Sequence, residues 1–162
     1  MIIPVEFEGS ERERGYKGCE EDCHALLSKI LPKEYVAVFH KQTQSSYQSD
    51  ILLLVPEKGV LVIEMKAWEP QNIEKVDLAG KPVLIHTSSF DVANCNPLNQ
   101  AKNYSDTYRK ELKSDAVFGY AVWLSNMTQT DMKQKGFDVN CGNGTLFMTQ
   151  EDFLDEESFC EK

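Results

Sequence analysis

Two short apolar segments, arranged as a hairpin, constrain the fold of this chain more than any other feature. The segments Ile51–Val55 and Val60–Met65 are rich in branched residues, and the stretch 56–59 between them contains proline and glycine. Each segment is shorter than an average helix. The pattern therefore predicts two antiparallel strands joined by a tight turn.

Charged residues stand at the outer ends of these strands. Because side chains alternate along a strand, Glu64 and Lys66 lie on one face. A three-residue loop over 57–59, with glycine in the left-handed position, places Asp50 opposite Lys66 and on the face of Glu64. A two-residue loop would leave Asp50 on the far face. The turn geometry therefore decides whether two carboxylates and an ammonium converge.

Such a charge cluster at the end of an apolar hairpin has two interpretations. One is a surface salt bridge of Lys66 with Glu64 or Asp50. The other is a functional site, since unpaired charge is costly in apolar surroundings and perturbed charges gather at sites. Two carboxylates, waters and a substrate phosphate suit Mg²⁺, which keeps much of its hydration. Lys66 would then lie beside the attacking water or the reacting phosphate.

The order and spacing of these residues resemble a known family. Asp50 followed by Glu64-Met65-Lys66 resembles the PD-(D/E)xK signature of restriction endonucleases and related nucleases. More narrowly, the runs 50–56 and 59–68, followed by 96–101, resemble the nuclease-related domain known as NERD. The resemblance covers roughly residues 18–125. It implies a restriction-endonuclease-like α/β sandwich, with a mixed β-sheet flanked by helices, and a Mg²⁺-dependent nuclease that cleaves DNA, with Mn²⁺ as a substitute.

The resemblance also implies roles for particular residues. Asp50 and Glu64 would be catalytic metal ligands, together with a glutamate of the first helix that aligns with Glu20 or, one residue later, with Glu21. The segment from Gln100 to Tyr104 fits the QxxxY pattern of such nucleases, in which the glutamine helps to position the site. Catalysis would thus depend on Asp50, Glu64, Lys66, Gln100 and Glu20.

Apolar residues at helical spacing predict a first helix from Cys19 to Leu31, closed by Pro32. Glu20 falls on the inward stripe of this helix. The alternative to a site role is a carboxylate at a helix start, stabilised there by the helix dipole.

A second helix is predicted where Asn96 can act as N-cap and Pro97 as the first helical residue. Gln100, Tyr104 and Tyr108 then share one face. This helix is also the most basic part of the chain, which makes Lys102 and Arg109 candidates for substrate contacts with backbone phosphates and Tyr104 a further candidate. The alternative is an ordinary solvated helix face.

The remaining segments predict a mixed sheet with further helices. The region 126–144 is polar and indicates irregular structure. A capping pattern from Thr149 to Asp152 predicts a closing helix through Phe159. The other predicted strands are Tyr35–Phe39, Asn72–Val76, Pro82–His86, Ala116–Leu124 and Thr145–Met148.

Length and composition fit one domain over residues 1–162, with its motif-bearing core at about 18–125. The 162 residues are 41% hydrophobic and 27% charged, which is ordinary for a globular protein. No apolar run reaches membrane-spanning length and no secretory signal pattern opens the chain, so we expect a cytoplasmic protein. Five scattered cysteines without a paired CxxC argue against a disulfide framework and against an iron–sulfur or zinc site.

The net charge of −9 opposes strong long-range attraction to nucleic acid. A second hypothesis is therefore a nucleic-acid-binding or protein-interaction module that keeps the nuclease fold without turnover. A third is a subunit that works with a helicase or another DNA-processing partner. The sequence does not distinguish DNA from RNA or endonuclease from exonuclease, and it gives no oligomeric state.

Overall fold

A six-stranded mixed sheet forms the centre of the protein in a computed structural model, which describes residues 2–3, 22–42, 48–77, 84–87, 97–137 and 145–153. In chain order the elements are β1 (Ile2–Ile3), α1 (22–30), β2 (Val36–Gln42), β3 (Gln48–Val55), β4 (Gly59–Lys66), β5 (Ile73–Asp77), β6 (Leu84–Thr87), α2 (Pro97–Leu112), β7 (Phe118–Leu124), α3 (Gln129–Lys135) and β8 (Thr145–Thr149). Short 3₁₀ helices cover Pro70–Asn72 and Gln150–Phe153.

The strand order in the large sheet is β1-β2-β3-β4-β7-β8. β2, β3 and β4 form an antiparallel meander, whereas β4, β7 and β8 run parallel, as β1 does to β2. β5 and β6 pair as a separate antiparallel hairpin. The predicted α/β architecture with a mixed sheet is confirmed.

Helices cover both faces of the sheet. On one face α1 buries Cys23 and Leu27 against strand residues such as Phe39 and Trp123. On the other face, α2 buries Ala101 and Tyr108 against the strand residues that alternate with those under α1. Because side chains alternate along each strand, the apolar runs supply both cores at once. Glu64 and Lys66 therefore project on the α2 face of β4.

The turn between β3 and β4 differs from the predicted one. Val55 pairs with Gly59, so the loop is 56–58, and the register brings Asp50 opposite Glu64 and not opposite Lys66. Positive φ at Glu57, 62°, shows that this residue occupies the left-handed position expected of the glycine. The predicted register is therefore wrong by two residues. Because side chains along a strand alternate faces with a period of two, Asp50 still lies on the face of Glu64.

Gly59 is required at the start of β4 by a close approach of the backbone. Its φ is +128°, and a Cβ atom there would lie 2.1 Å from the carbonyl oxygen of Val117. That same carbonyl accepts a 2.8 Å hydrogen bond from the amide of Val60. The glycine thus lets the N-terminal end of β4 dock against the segment that leads into β7.

Gly59→Ala should lower the free energy of unfolding by about 3 kcal/mol, at the upper end of the cost of a strained backbone, because a clash is added to the unfavourable φ. Gly136→Ala is the matched control. Gly136 also has positive φ, 84°, but a Cβ atom there would lie 3.8 Å from the carbonyl oxygen of Val76, an ordinary van der Waals contact. This control should lose about 1 kcal/mol. Equal losses in urea denaturation would contradict the role given to the Val117 contact.

One helix was not expected from the sequence. The region 126–144 was predicted to be irregular, but α3 lies within it and buries Met132 in the core on the α2 face. Its signal is a capping box in which the Thr128 side chain accepts from the amide of Asp131 while the Asp131 carboxylate accepts from the amide of Thr128. Gly136 ends the helix in the left-handed conformation.

Other predicted elements are found within the described residues. The strands expected along the chain are present, and the hairpin predicted at 72–86 is β5–β6. Thr149 and Asp152 form the expected N-terminal hydrogen bonds, although they begin a 3₁₀ helix. The proposed cap Asn96 and the rest of the closing helix lie outside the described residues. Within the described ranges, no helix combines the length and the apolar character needed to cross a membrane.

Candidate active site at the carboxyl end of β4

Asp50 lies at the point where the hydrogen-bond ladder between β3 and β4 ends. The last regular pair is Ile51 with Ile63, and beyond it the Asp50 carboxylate itself accepts a 2.6 Å hydrogen bond from the amide of Met65. A side chain thus replaces the backbone carbonyl that would continue the ladder. This bond fixes the Asp50 carboxylate against the strand that carries Glu64.

Glu64 is buried, and Lys66 is bonded to it. The Glu64 side chain is 2% exposed, and its Oε1 atom accepts a 2.5 Å hydrogen bond from the Lys66 ammonium, whose side chain is 24% exposed. The predicted alternative of a surface salt bridge is therefore half right. The ion pair exists, but its acid is in the protein interior, where desolvation offsets much of the attraction between the charges.

The second carboxylate oxygen of Glu64 is buried without compensation. Within the described part of the chain, Oε2 of Glu64 has no hydrogen-bond partner. Burial, and after it the nearby negative charge of Asp50, raise the pKa of Glu64 to about 7 against the opposing effect of Lys66. When Glu64 is ionised, the two carboxylates therefore carry more negative charge than the single ammonium of Lys66 neutralises.

The α2 helix brings Gln100 and Tyr104 to this cluster. Gln100 Nε2 donates a 2.9 Å hydrogen bond to the Tyr104 hydroxyl, so the pair expected from the four-residue spacing does form. Burial raises the pKa of Tyr104, and the charges of Glu64 and Asp50 act in the same direction. The hydroxyl therefore stays protonated at neutral pH. Because both acids act on the hydroxyl, the Gln100–Tyr104 pair lies on the face of α2 that is turned toward the acidic cluster.

One residue of the site was missed by the sequence analysis. Ser49 is fully buried, and its hydroxyl lies 2.9 Å from the hydroxyl of Tyr108, which is 2% exposed. The bond ties α2 to the residue directly before Asp50. Helical spacing placed Tyr108 on the face of Gln100 and Tyr104, but nothing in the sequence distinguishes Ser49 from the other polar residues of the stretch 41–49.

Tyr108→Phe should lower the free energy of unfolding by about 1–3 kcal/mol, because the buried Ser49 hydroxyl loses its partner. Adding Ser49→Ala should recover part of that loss, since both polar groups are then removed. Chemical denaturation of the two single variants and the double variant measures the coupling. Strictly additive losses would mean that the two hydroxyls do not depend on each other.

The predicted phosphate-binding residues of α2 lie on its exposed side. Lys102 makes a 2.6 Å ion pair with Asp106, and both side chains are about half exposed. Arg109 is also exposed. By helical geometry these positions are opposite the face that carries Gln100 and Tyr104. Their role in substrate binding stays a prediction, as do the catalytic and metal-binding roles of the other residues.

A divalent cation fits the donors that are present. Asp50 and Glu64 offer carboxylate oxygens, the donors that Mg²⁺ prefers, and the uncompensated Oε2 atom of Glu64 is a ligand position in need of positive charge. The described residues contain no group of three or more acidic, histidine or cysteine side chains that could hold a metal. Glu20 and Glu21, one of which was predicted to complete the set, lie outside the described residues.

The comparisons with known proteins were decisive at the level of family. The sequence matches the nuclease-related domain, NERD, over residues 14–125, more than two thirds of the chain. The chain belongs to the NERD family. The matched range contains every residue named above for the site of this NERD protein, so its nuclease-related character has support independent of the side-chain geometry.

This NERD chain was also compared with solved structures and with curated proteins. It is similar to a solved structure described as the crystal structure of a repair endonuclease from Pyrococcus abyssi, with 15% identity and a TM-score of 0.40. The alignment covers 90% of this chain and 49% of that chain, so the NERD protein spans about half the length of the structure it matches. A comparison with curated proteins gave no match.

Proposed function

We propose that the protein is a metal-dependent phosphodiesterase that cleaves DNA, with Mg²⁺ as cofactor and Mn²⁺ as a substitute. The observation that carries this proposal is the buried Oε2 atom of Glu64, without a hydrogen-bond partner in the described chain and close to a second acid, Asp50. Leaving such a group buried is costly. A fold with only a structural need for this position would be better served by an apolar residue.

The metal ligands in this proposal are Asp50 and Glu64, with the main-chain carbonyl of Met65 and with Glu20 or Glu21, which precede α1 in the chain. A bound Mg²⁺ would polarise the scissile phosphate and lower the pKa of a coordinated water. Two or three protein oxygens suffice, because Mg²⁺ retains several waters and accepts phosphate oxygens from the substrate.

Lys66 supplies positive charge on the same face of β4. Its ammonium is partly exposed, which leaves it able to reach both Glu64 and a phosphate at the strand end. We assign it to orienting the attacking water and to stabilising the charge that develops on the phosphate. Gln100 and Tyr104, joined by their own hydrogen bond, would form one side of this arrangement.

The direct test is incubation of the purified protein with labelled single-stranded and double-stranded DNA, and with RNA, in Mg²⁺, in Mn²⁺ and in chelator. We expect cleavage of DNA with either metal and none in chelator. The RNA arm tells whether the substrate class is broader. A correctly folded protein that cuts no DNA with either metal would contradict the proposal.

A second candidate function is a binding module that keeps the fold without turnover. The net charge of −9 favours it, because nucleic-acid binding draws much of its affinity from neutralised phosphates. Such a module would bind DNA equally in chelator and in Mg²⁺, and would not cut in Mn²⁺. If cleavage appears only after addition of a helicase or another DNA-processing protein, the chain is a subunit of that complex.

A further inference from the structure

A cavity of about 430 Å³ opens next to the end of β4, on the face of the sheet that α1 covers. Its inner wall includes Trp123, which belongs to the core beneath α1. Its outer wall is α1 itself, with Ala25 and Lys29. Lys66 and Glu64 project on the opposite face. The cavity is therefore separate from the acidic cluster, although both lie at the carboxyl end of β4.

Hydrogen bonds join two residues of the cavity wall, Ser125 and Asn126, to the chain at the end of β4. The amide of Ser125 donates to the carbonyl oxygen of Lys66 at 3.1 Å, and Asn126 Nδ2 donates to the carbonyl oxygen of Ala67 at 3.3 Å. Asn126 is held further by a 2.7 Å bond to Glu69. Ala67, the residue after Lys66, itself lines the cavity. Because consecutive residues of a strand point to opposite faces, the cavity and the acidic cluster flank the same end of β4.

The cavity is lined by both hydrogen-bonding and apolar side chains, a combination suited to a nucleotide. The Ser125 hydroxyl and the Gln150 amide both donate and accept hydrogen bonds, Asp22 accepts them, and Trp123 contributes an apolar wall. The edges of nucleobases carry donors and acceptors side by side, and enzymes read unstacked bases through such groups. Lys29 adds a cation suited to a phosphate. The volume lies in the range of small-molecule sites.

We infer that this cavity binds one unstacked nucleotide of the substrate, adjacent to the phosphodiester held at Asp50, Glu64 and Lys66. The inference rests on the proposed nuclease function and adds a substrate preference to it. A base can enter the cavity only when it is not paired and stacked in a duplex. The protein therefore prefers single-stranded DNA, or the frayed end of a duplex, to an intact double helix.

The test compares two tryptophan substitutions on α1. Ala25 is exposed and lines the cavity, so Ala25→Trp fills it, whereas Ser28→Trp places the same side chain on an exposed position outside the lining. Binding of a short labelled single-stranded DNA and of a blunt duplex of the same sequence is measured with Ca²⁺ in place of Mg²⁺. Ala25→Trp should weaken single-strand binding about tenfold, the order expected for lost contacts to one base, and leave duplex binding unchanged. Ser28→Trp should resemble wild type.

A charge reversal gives a second, independent readout. Lys29→Glu should raise KM for single-stranded DNA with little change in kcat, while Lys33→Glu, at an exposed position shortly after α1 and outside the lining, should change neither. Circular dichroism confirms that each variant is folded.

The two proposals fail in different ways. If wild type cuts DNA and Ala25→Trp binds single strands as well as Ser28→Trp does, the cavity inference is overturned and the nuclease function stands. If folded wild type neither cuts nor binds DNA with any metal, both are overturned.

Discussion

Replacing Lys66 or Asp50 with alanine should reduce metal-dependent DNA cleavage by roughly a thousandfold or more, with the fold retained. Each change removes a charged group worth several kcal/mol in the transition state, and a factor of ten in rate corresponds to about 1.36 kcal/mol. In the proposed mechanism, Lys66→Ala removes the cation beside the reacting phosphate. Asp50→Ala removes a proposed metal ligand and also the acceptor for the Met65 amide.

Matched controls come from exposed positions away from the carboxyl end of β4. Lys58→Ala changes a lysine in the turn at the opposite end of the β3–β4 hairpin, and Asp115→Ala changes an exposed aspartate between α2 and β7. Both should cut at the wild-type rate. The measurement is single-turnover cleavage of labelled DNA in Mg²⁺, with circular dichroism as a check of folding. Wild-type rates in either site variant would remove that residue from the proposed mechanism.

Replacing Glu64 with glutamine should make the metal-free protein more stable at alkaline pH, by about 3 kcal/mol, while abolishing stabilisation by Mg²⁺. The pKa of Glu64 is raised from 4.5 to about 7, so ionising this buried group costs folding free energy. A tenfold change in proton affinity between the folded and unfolded states corresponds to about 1.36 kcal/mol. The glutamine amide is neutral, and its oxygen still accepts from Lys66. A gain in stability with loss of function is typical of a substitution in a binding site.

The pH dependence of this gain in stability follows from the direction in which the pKa of Glu64 is shifted. Because the folded state holds the Glu64 proton more tightly than the unfolded state, stability from this group is fully present below about pH 4.5 and falls as pH rises to about 7. The difference between Glu64→Gln and wild type should therefore be small at pH 4.5 and reach its full size at about pH 8. Urea denaturation in chelator at both values measures it.

Glu34→Gln, at an exposed position before β2, is the control and should show no such pH-dependent gain. Adding Mg²⁺ at about pH 8 should then raise the stability of wild type and of this control but leave Glu64→Gln unchanged, since a ligand stabilises only the state that binds it. An equal response of all three proteins to Mg²⁺ would show that Glu64 is not a ligand. A constant difference across the pH range would show that Glu64 is not the group that titrates.

Much of the fold could be predicted from local patterns. The apolar runs of β3, β4 and β7 predicted strands, and the four-residue spacing of Gln100, Tyr104 and Tyr108 predicted that they share one face of α2. These predictions succeed because strand and helix periodicity are set by the backbone, and burial of the apolar face follows from it. The helix α3 was missed because its signal is a single capping box in a polar stretch that buries few residues.

The chemistry of the candidate site was predictable in part, because alternation along two strands is enough to place Asp50, Glu64 and Lys66 on one face. The register error of two positions did not matter for that conclusion, since faces repeat every second residue. An error of one position would have reversed it.

The sequence by itself therefore determined the class of fold, the family and the face on which three charges meet. Only the tertiary structure decided that Glu64 is buried with an uncompensated oxygen, that Ser49 is anchored by Tyr108, that Lys102 and Arg109 face solvent, and that a cavity adjoins the end of β4. Those features depend on which elements pack against one another, and contacts between residues 59 positions apart leave no periodic trace in the chain. Local physics sets the elements, and their packing sets the electrostatics of the site.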